Sequence, residues 1–180
     1  MERFDSVLQL IKDCGANGTA YLPAEQISLD PVFRTICESN SCGKYGRCYM
    51  CPPDIPDIDT LMAKVRQYKH ALLYQSVSEI EDCFDFEGMM EAGHKHVLLS
   101  QRIQEQLKAT LPQSFLHLSS GGCHLCERCA KEDGLPCRHP GKPLGSLEGH
   151  GIDVCATARA ANLPYTGKSD TVTYFGIILI

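Results

Sequence analysis

The sequence predicts an α/β fold: a small mixed sheet flanked by helices, carrying two long cysteine-rich loops. Three observations support this. Segments with the helical apolar period alternate along the chain with short apolar runs of strand type. Residues 171–180 are rich in Val, Tyr, Phe and Ile on both faces, as expected of a central strand. Cysteines crowd residues 37–56 and 121–149, where neither period holds, and irregular segments of that length inside a compact domain are usually functional.

The elements follow in order. Phe4, Val7, Leu8 and Ile11 mark one face of a first helix, ended by Cys14-Gly15 and Asn17-Gly18. Residues 19–22 form a short strand before Pro23. Asp30-Pro31 starts a short helix, with Asp30 as cap and Pro31 at the first helical position, and this helix delivers Cys37. Ile58, Leu61, Met62 and Val65 mark the next helical face. The run 71–77 is short, apolar and aromatic, hence a buried strand. A long helix covers residues 89–111, with Leu99, Ile103 and Leu107 on one stripe and Pro112 as its stop. Residues 115–118 form a further strand. Asp153 caps a helix through Ala161, and the strand 171–180 closes the chain.

The 180 residues suit a single domain, long enough to bury a core, and no repeat or low-complexity tract divides them. Hydrophobic residues at 43% and charged residues at 22% exclude a wholly disordered chain. A net charge of -5 argues against nucleic acid as a partner. No apolar run of about 18 residues is present to cross a membrane. The first residues lack the basic and then apolar run of a secretory signal, which leads us to expect a cytoplasmic protein. Eleven cysteines in such a setting point to metal or redox chemistry rather than disulfides.

The sharper of the two cysteine patterns is Gly121-Gly122-Cys123-x2-Cys126-x2-Cys129, followed by Cys137. Three cysteines at two-residue gaps with a fourth downstream is the ligand pattern of a [4Fe–4S] cluster, because a cubane needs one soft thiolate at each of four corners. The seven-residue last gap departs from the three residues of the bacterial ferredoxin run. A four-thiolate zinc site is the competing reading. The other pattern is Cys37-x4-Cys42-x5-Cys48-x2-Cys51-Pro52-Pro53, with Gly43 and Gly46 to make the turns. It reads as a second [4Fe–4S] site, as a zinc site, or as three thiolates completed from elsewhere. Pairings across the two loops stay open, including Cys137 or Cys51 closing the opposite site.

Three cysteines are left over. Cys14 and Cys83 read as small apolar residues. Cys155, in the first turn of a helix, is the best spare ligand or reactive thiol. His94 and His96 lie on opposite sides of a helix and do not share a metal. His124 and His139 lie within the second loop, where four thiols already suffice. Asp54, Asp57 and Asp59 match a helix N-terminal dipole. Glu148 and Asp153, flanking Gly149-His150-Gly151, read as structural or capping residues, with an active-site role as the alternative. No nucleotide-binding or serine-nucleophile motif occurs.

Three motifs together resemble the family of predicted metal-binding proteins named domain of unknown function 2284. They are Tyr45-Gly46 with Cys51-Pro52-Pro53; Gly121-Gly122-Cys123-x2-Cys126-x2-Cys129 with Gly134-x-Pro136-Cys137-Arg138-x-Pro140; and Ser146-x-Glu148-x2-Gly151-Ile152-Asp153-Val154. They span residues 37–154. The resemblance implies a small iron–sulfur protein of the kind found in anaerobic bacteria and archaea, and it implies no particular reaction. Cys42, Cys51, Cys123, Cys126, Cys129 and Cys137 match the family pattern. Cys37 stands further from Cys42 than that pattern expects, and Cys48 is an addition to it.

The leading expectation is therefore an iron–sulfur protein with two [4Fe–4S] clusters held by Cys37, Cys42, Cys48 and Cys51 and by Cys123, Cys126, Cys129 and Cys137. It would transfer electrons to or from a redox partner protein. The alternatives are a zinc-stabilised protein-interaction module and an enzyme with a cluster at its substrate site.

Overall fold

The computed structural model describes residues 2–111, 114–165 and 169–180. Among them run, in chain order, α1 (Glu2–Asp13), β1 (Gly18–Pro23), α2 (Val32–Glu38), α3 (Ile58–Arg66), β2 (His70–Glu79), α4 (Phe86–Thr110), β3 (Leu116–Ser119), β4 (Gly145–Ser146), α5 (Val154–Ala160) and β5 (Thr171–Leu179). The strands form one sheet in the order β1-β2-β5-β3-β4. The first three pairings are antiparallel, and β3 runs parallel to β4. This is the expected α/β fold with a mixed sheet, and β5 occupies its centre.

Alternation along β2 and β5 explains the layers. Leu72, Tyr74 and Ile178 point to one face, where they pack with Val7 and Ile11 of α1 and Leu99, Ile103 and Leu107 of α4. Ala71, Leu73, Phe175, Ile177 and Leu179 point to the other, against Val65 of α3, Ala158 of α5, and Leu147 and Ile152. A strand buried on both faces needs apolar residues at every position, which is why β5 reads as a continuous run.

The helix starts follow their caps. Asp57 Oδ1 accepts from Thr60 N–H at 2.9 Å and Asp153 Oδ1 from Ala156 N–H at 2.9 Å. The exception is α2: Asp30 Oδ1 accepts from Val32 N–H at 2.9 Å, but the helix begins at Val32 with Pro31 in the cap position, one residue later than expected. The long helix starts three residues before Met89 because Asp85 caps it, its Oδ1 accepting from Gly88 N–H at 2.8 Å. The proposed stop at Pro112 lies outside the described residues. The second cysteine-rich segment is less irregular than its sequence suggests. It contains β4 and two short 3-10 turns, Ala130–Asp133 and Glu148–His150. No described helix is long and apolar enough to cross a membrane.

Candidate metal centre

The two cysteine loops leave the scaffold at different places and meet. Cys37 sits in the last turn of α2, which packs against the turn Glu148–His150. Gly43 and Gly46 then take positive φ values of 69° and 67°, and the chain folds back to bury Cys48 and Cys51. The second loop leaves the end of β3 and brings Gly122 directly against Cys51. A Cβ at Gly122 would lie 3.1 Å from Cys51 Sγ, tighter than ordinary contact, so a side chain there would press on Cys51.

Cys48 lies at the seam. Its sulfur accepts hydrogen bonds from the thiols of Cys123, across the seam, and Cys51, in its own loop. The N–H groups of Met50 and Cys123 also donate to it. These donors push the Cys48 thiol well below its ordinary range. Cys51 and Cys123 are pushed up because each donates to Cys48, and burial adds to the effect. Cys37 is raised by burial and by nearby Cys42, and both lie close enough to Cys51 to act on it electrostatically. The four thiols of the first loop thus form one neighbourhood.

In the second loop, Cys123, Cys126, Cys129 and Cys137 line a single hollow with Leu125 and Pro143. Cys123 therefore belongs to both groups. A local geometry recurs: the N–H two residues on points back at the sulfur, Met50 at Cys48, Leu125 at Cys123, and His139 at Cys137 over 3.4 Å. Donors so placed favour the charged form of a thiolate, with or without a metal. Among the described residues no three His, Cys, Asp or Glu side chains gather around one point as a single ion requires.

Contacts that use no cysteine tie the loops together. Arg47 Nη2 pairs with Glu132 Oε2 at 2.7 Å. Lys131 pairs with Asp54 and lies over the Tyr49 ring, 5.4 Å from its centroid. Tyr49 O–H donates to Leu135 O at 2.9 Å. Asp54, read from sequence with Asp57 and Asp59 as charge for a helix terminus, serves instead as a link between loops. The spacing of cysteines gave no hint of these ties; charges of opposite sign within two loops rich in the same ligand were the one available signal.

The remaining residues sort by position. Cys14 packs beside the α1–α4 core, and burial raises its thiol. Cys83 and Cys155 are exposed, and Cys155 contacts Tyr165. All eleven cysteines carry free thiols. His139 contributes its backbone N–H to Cys137, and His150 Nδ1 meets Ser146 O at 2.8 Å. Burial raises the Glu148 carboxyl, partly offset by its own N–H and that of Gly121, while Oε2 is buried without a partner. Glu148 thus stands beneath the start of the second loop and close to Cys37.

No curated protein and no solved structure matches the chain. A family model does, over residues 20–180, so that both cysteine loops and all but the first two residues of the sheet fall within it. With thiols converging from two loops of one scaffold, the chain belongs to the predicted metal-binding proteins of domain of unknown function 2284.

Proposed function

We propose that this metal-binding protein is an iron–sulfur protein that holds two adjoining [4Fe–4S] clusters and exchanges electrons with a redox partner protein. The observation that carries the reading is the position of Cys123, which borders the hollow of the second loop and also touches Cys48 of the first. Cys37, Cys42, Cys48 and Cys51 would hold one cluster; Cys123, Cys126, Cys129 and Cys137 would hold the other. Thiolates are the right donors for iron–sulfur chemistry. A zinc ion draws four donors to about 2.3 Å of one point. Three cysteines at two-residue gaps with a fourth downstream match the ligand pattern of a cubane better than the paired knuckles usual for zinc.

A bound [4Fe–4S] cluster supplies one-electron redox chemistry at a potential set by its surroundings. The chain's own residues act on those surroundings. The N–H groups of Met50, Leu125 and His139 stabilise charge on sulfur, and burial of Cys48 and Cys51 keeps water from the seam. Free thiols throughout fit a reducing, cytoplasmic setting. The reading is tested by assaying iron, acid-labile sulfide and zinc in protein purified without oxygen. About eight irons and eight sulfides per chain are expected from two clusters. Stoichiometric zinc after iron-replete anaerobic expression would overturn it.

A further inference from the structure

Beside the second cysteine loop lies a cleft of about 550 Å³, wider than the thiol-lined hollow and bordered by one of its thiols, Cys126. Small-molecule sites typically span about 300–1,000 Å³, with apolar walls and a few convergent polar groups. Met89, Met90 and Val97 of α4 and Leu125 of the loop supply apolar walls. Tyr174 of β5 adds its ring, since its O–H is already engaged, donating to Met89 O at 2.8 Å. Ser120 is likewise engaged, with Phe175 N–H and O. The polar groups left to meet a ligand are the imidazoles of His94 and His124 and the carboxylate of Glu127.

We propose that this cleft binds a small, neutral, largely apolar aromatic carbonyl compound of the quinone class, whose oxygens accept hydrogen bonds from His94 and His124. Thioethers make favourable contacts with aromatic rings, which suits a ring placed against Met89 and Met90. The Glu127 carboxylate disfavours a phosphate or carboxylate ligand. Gly93 provides a separate argument. It lies inside the 25-residue helix α4, where glycine costs about 1 kcal/mol relative to alanine. A Cβ there would lie 3.5 Å from the Tyr174 ring, which is ordinary contact, so packing does not demand glycine; larger side chains would fill the cleft. Cys126 borders both this cleft and the thiol-lined hollow, which sets the occupant against the second loop's metal site.

The site rests on the cleft and goes beyond the cluster reading. The test is calorimetric titration of duroquinone, whose fully methylated ring resists thiol addition, into oxidised, anaerobically purified full-length protein. Saturable binding at one per chain is expected. Gly93→Leu should weaken it at least tenfold with unchanged circular dichroism and metal content. His124→Phe should weaken it about tenfold through loss of one hydrogen bond to the ligand. Heat that never saturates, or undiminished affinity in Gly93→Leu, overturns the proposal. Metal assays on the same samples separate the two ideas: saturable binding to zinc-containing protein upholds the cleft while the cluster reading fails.

Discussion

The two cysteine loops reach the same seam by different means. The first is assembled from a helix end and two glycine turns, spreads Cys37, Cys42, Cys48 and Cys51 over fifteen residues, and buries the last two. The second spans the same length but sets Cys123, Cys126 and Cys129 at regular two-residue gaps, and its four thiols border a hollow, each of them half-buried. In the first, sulfur is organised by thiol-to-thiol hydrogen bonds centred on Cys48; in the second, by the shape of the loop. The difference shows that regular spacing is one of two ways to gather thiolates. The other is tertiary, and it depends on the partner loop.

That comparison predicts unequal effects of removing single thiols. Cys123→Ser should have the largest, because Cys123 serves both groups. Iron should fall by more than the roughly four atoms of one cluster. Cys126→Ser and Cys129→Ser should each remove about one cluster, and Cys14→Ser and Cys83→Ser none. Equal losses for Cys123→Ser and Cys126→Ser would show that the two loops work independently.

The scaffold offers a contrast in acid. His96 and His117 are buried among α4 and the sheet, and burial lowers them to about 4 and about 3. Above the ordinary value near 6.5 neither the folded nor the unfolded chain protonates them, and stability is complete. Below it the unfolded chain takes up protons that the folded one refuses. Stability then falls by up to about 1.4 kcal/mol per pH unit for each group, until the folded values are reached. Urea unfolding at pH 7 and pH 5, followed by far-ultraviolet circular dichroism, should show this loss. His117→Gln should show a smaller loss over the same interval; an equal loss would remove His117 from the account.

The seam itself is tested by Gly122→Val. The new side chain must displace Cys51, and overpacking of this kind costs about 1–3 kcal/mol. Protease should then cut residues 37–56 faster than in the parent, with little change elsewhere; unchanged cleavage would mean the loops do not need this approach. The smallest effect is expected from Arg47→Ala. Its ion pair with Glu132 is largely exposed on the arginine side, and such pairs contribute about 0.2–1 kcal/mol. Denaturant midpoints should move by no more than that.

Much of the scaffold was legible in the sequence because it rests on local patterns. The stripe Leu99, Ile103 and Leu107 marked α4, the cap Asp153 marked the start of α5, and the apolar run of β5 marked the sheet centre. The two residues of β4 were not legible, since Gly145 and Ser146 carry no period and are a strand only by pairing with β3. The start of α4 was missed by three residues because the cap at Asp85 precedes the apolar stripe. At the site, spacing singled out two groups of four cysteines, and the fold brings the two loops together where Cys48 meets Cys123. The touching of Cys48 and Cys123 was left open, because it depends on ties such as Arg47 to Glu132, 85 residues apart, which leave no local mark.

The central claim is that the two loops form one continuous centre with two neighbouring clusters. Electron paramagnetic resonance of the fully reduced, anaerobically purified protein tests it most directly. Two reduced clusters joined at the Cys48–Cys123 seam should interact magnetically and give a broadened, split spectrum. The simple signal of a single isolated cluster would contradict the account.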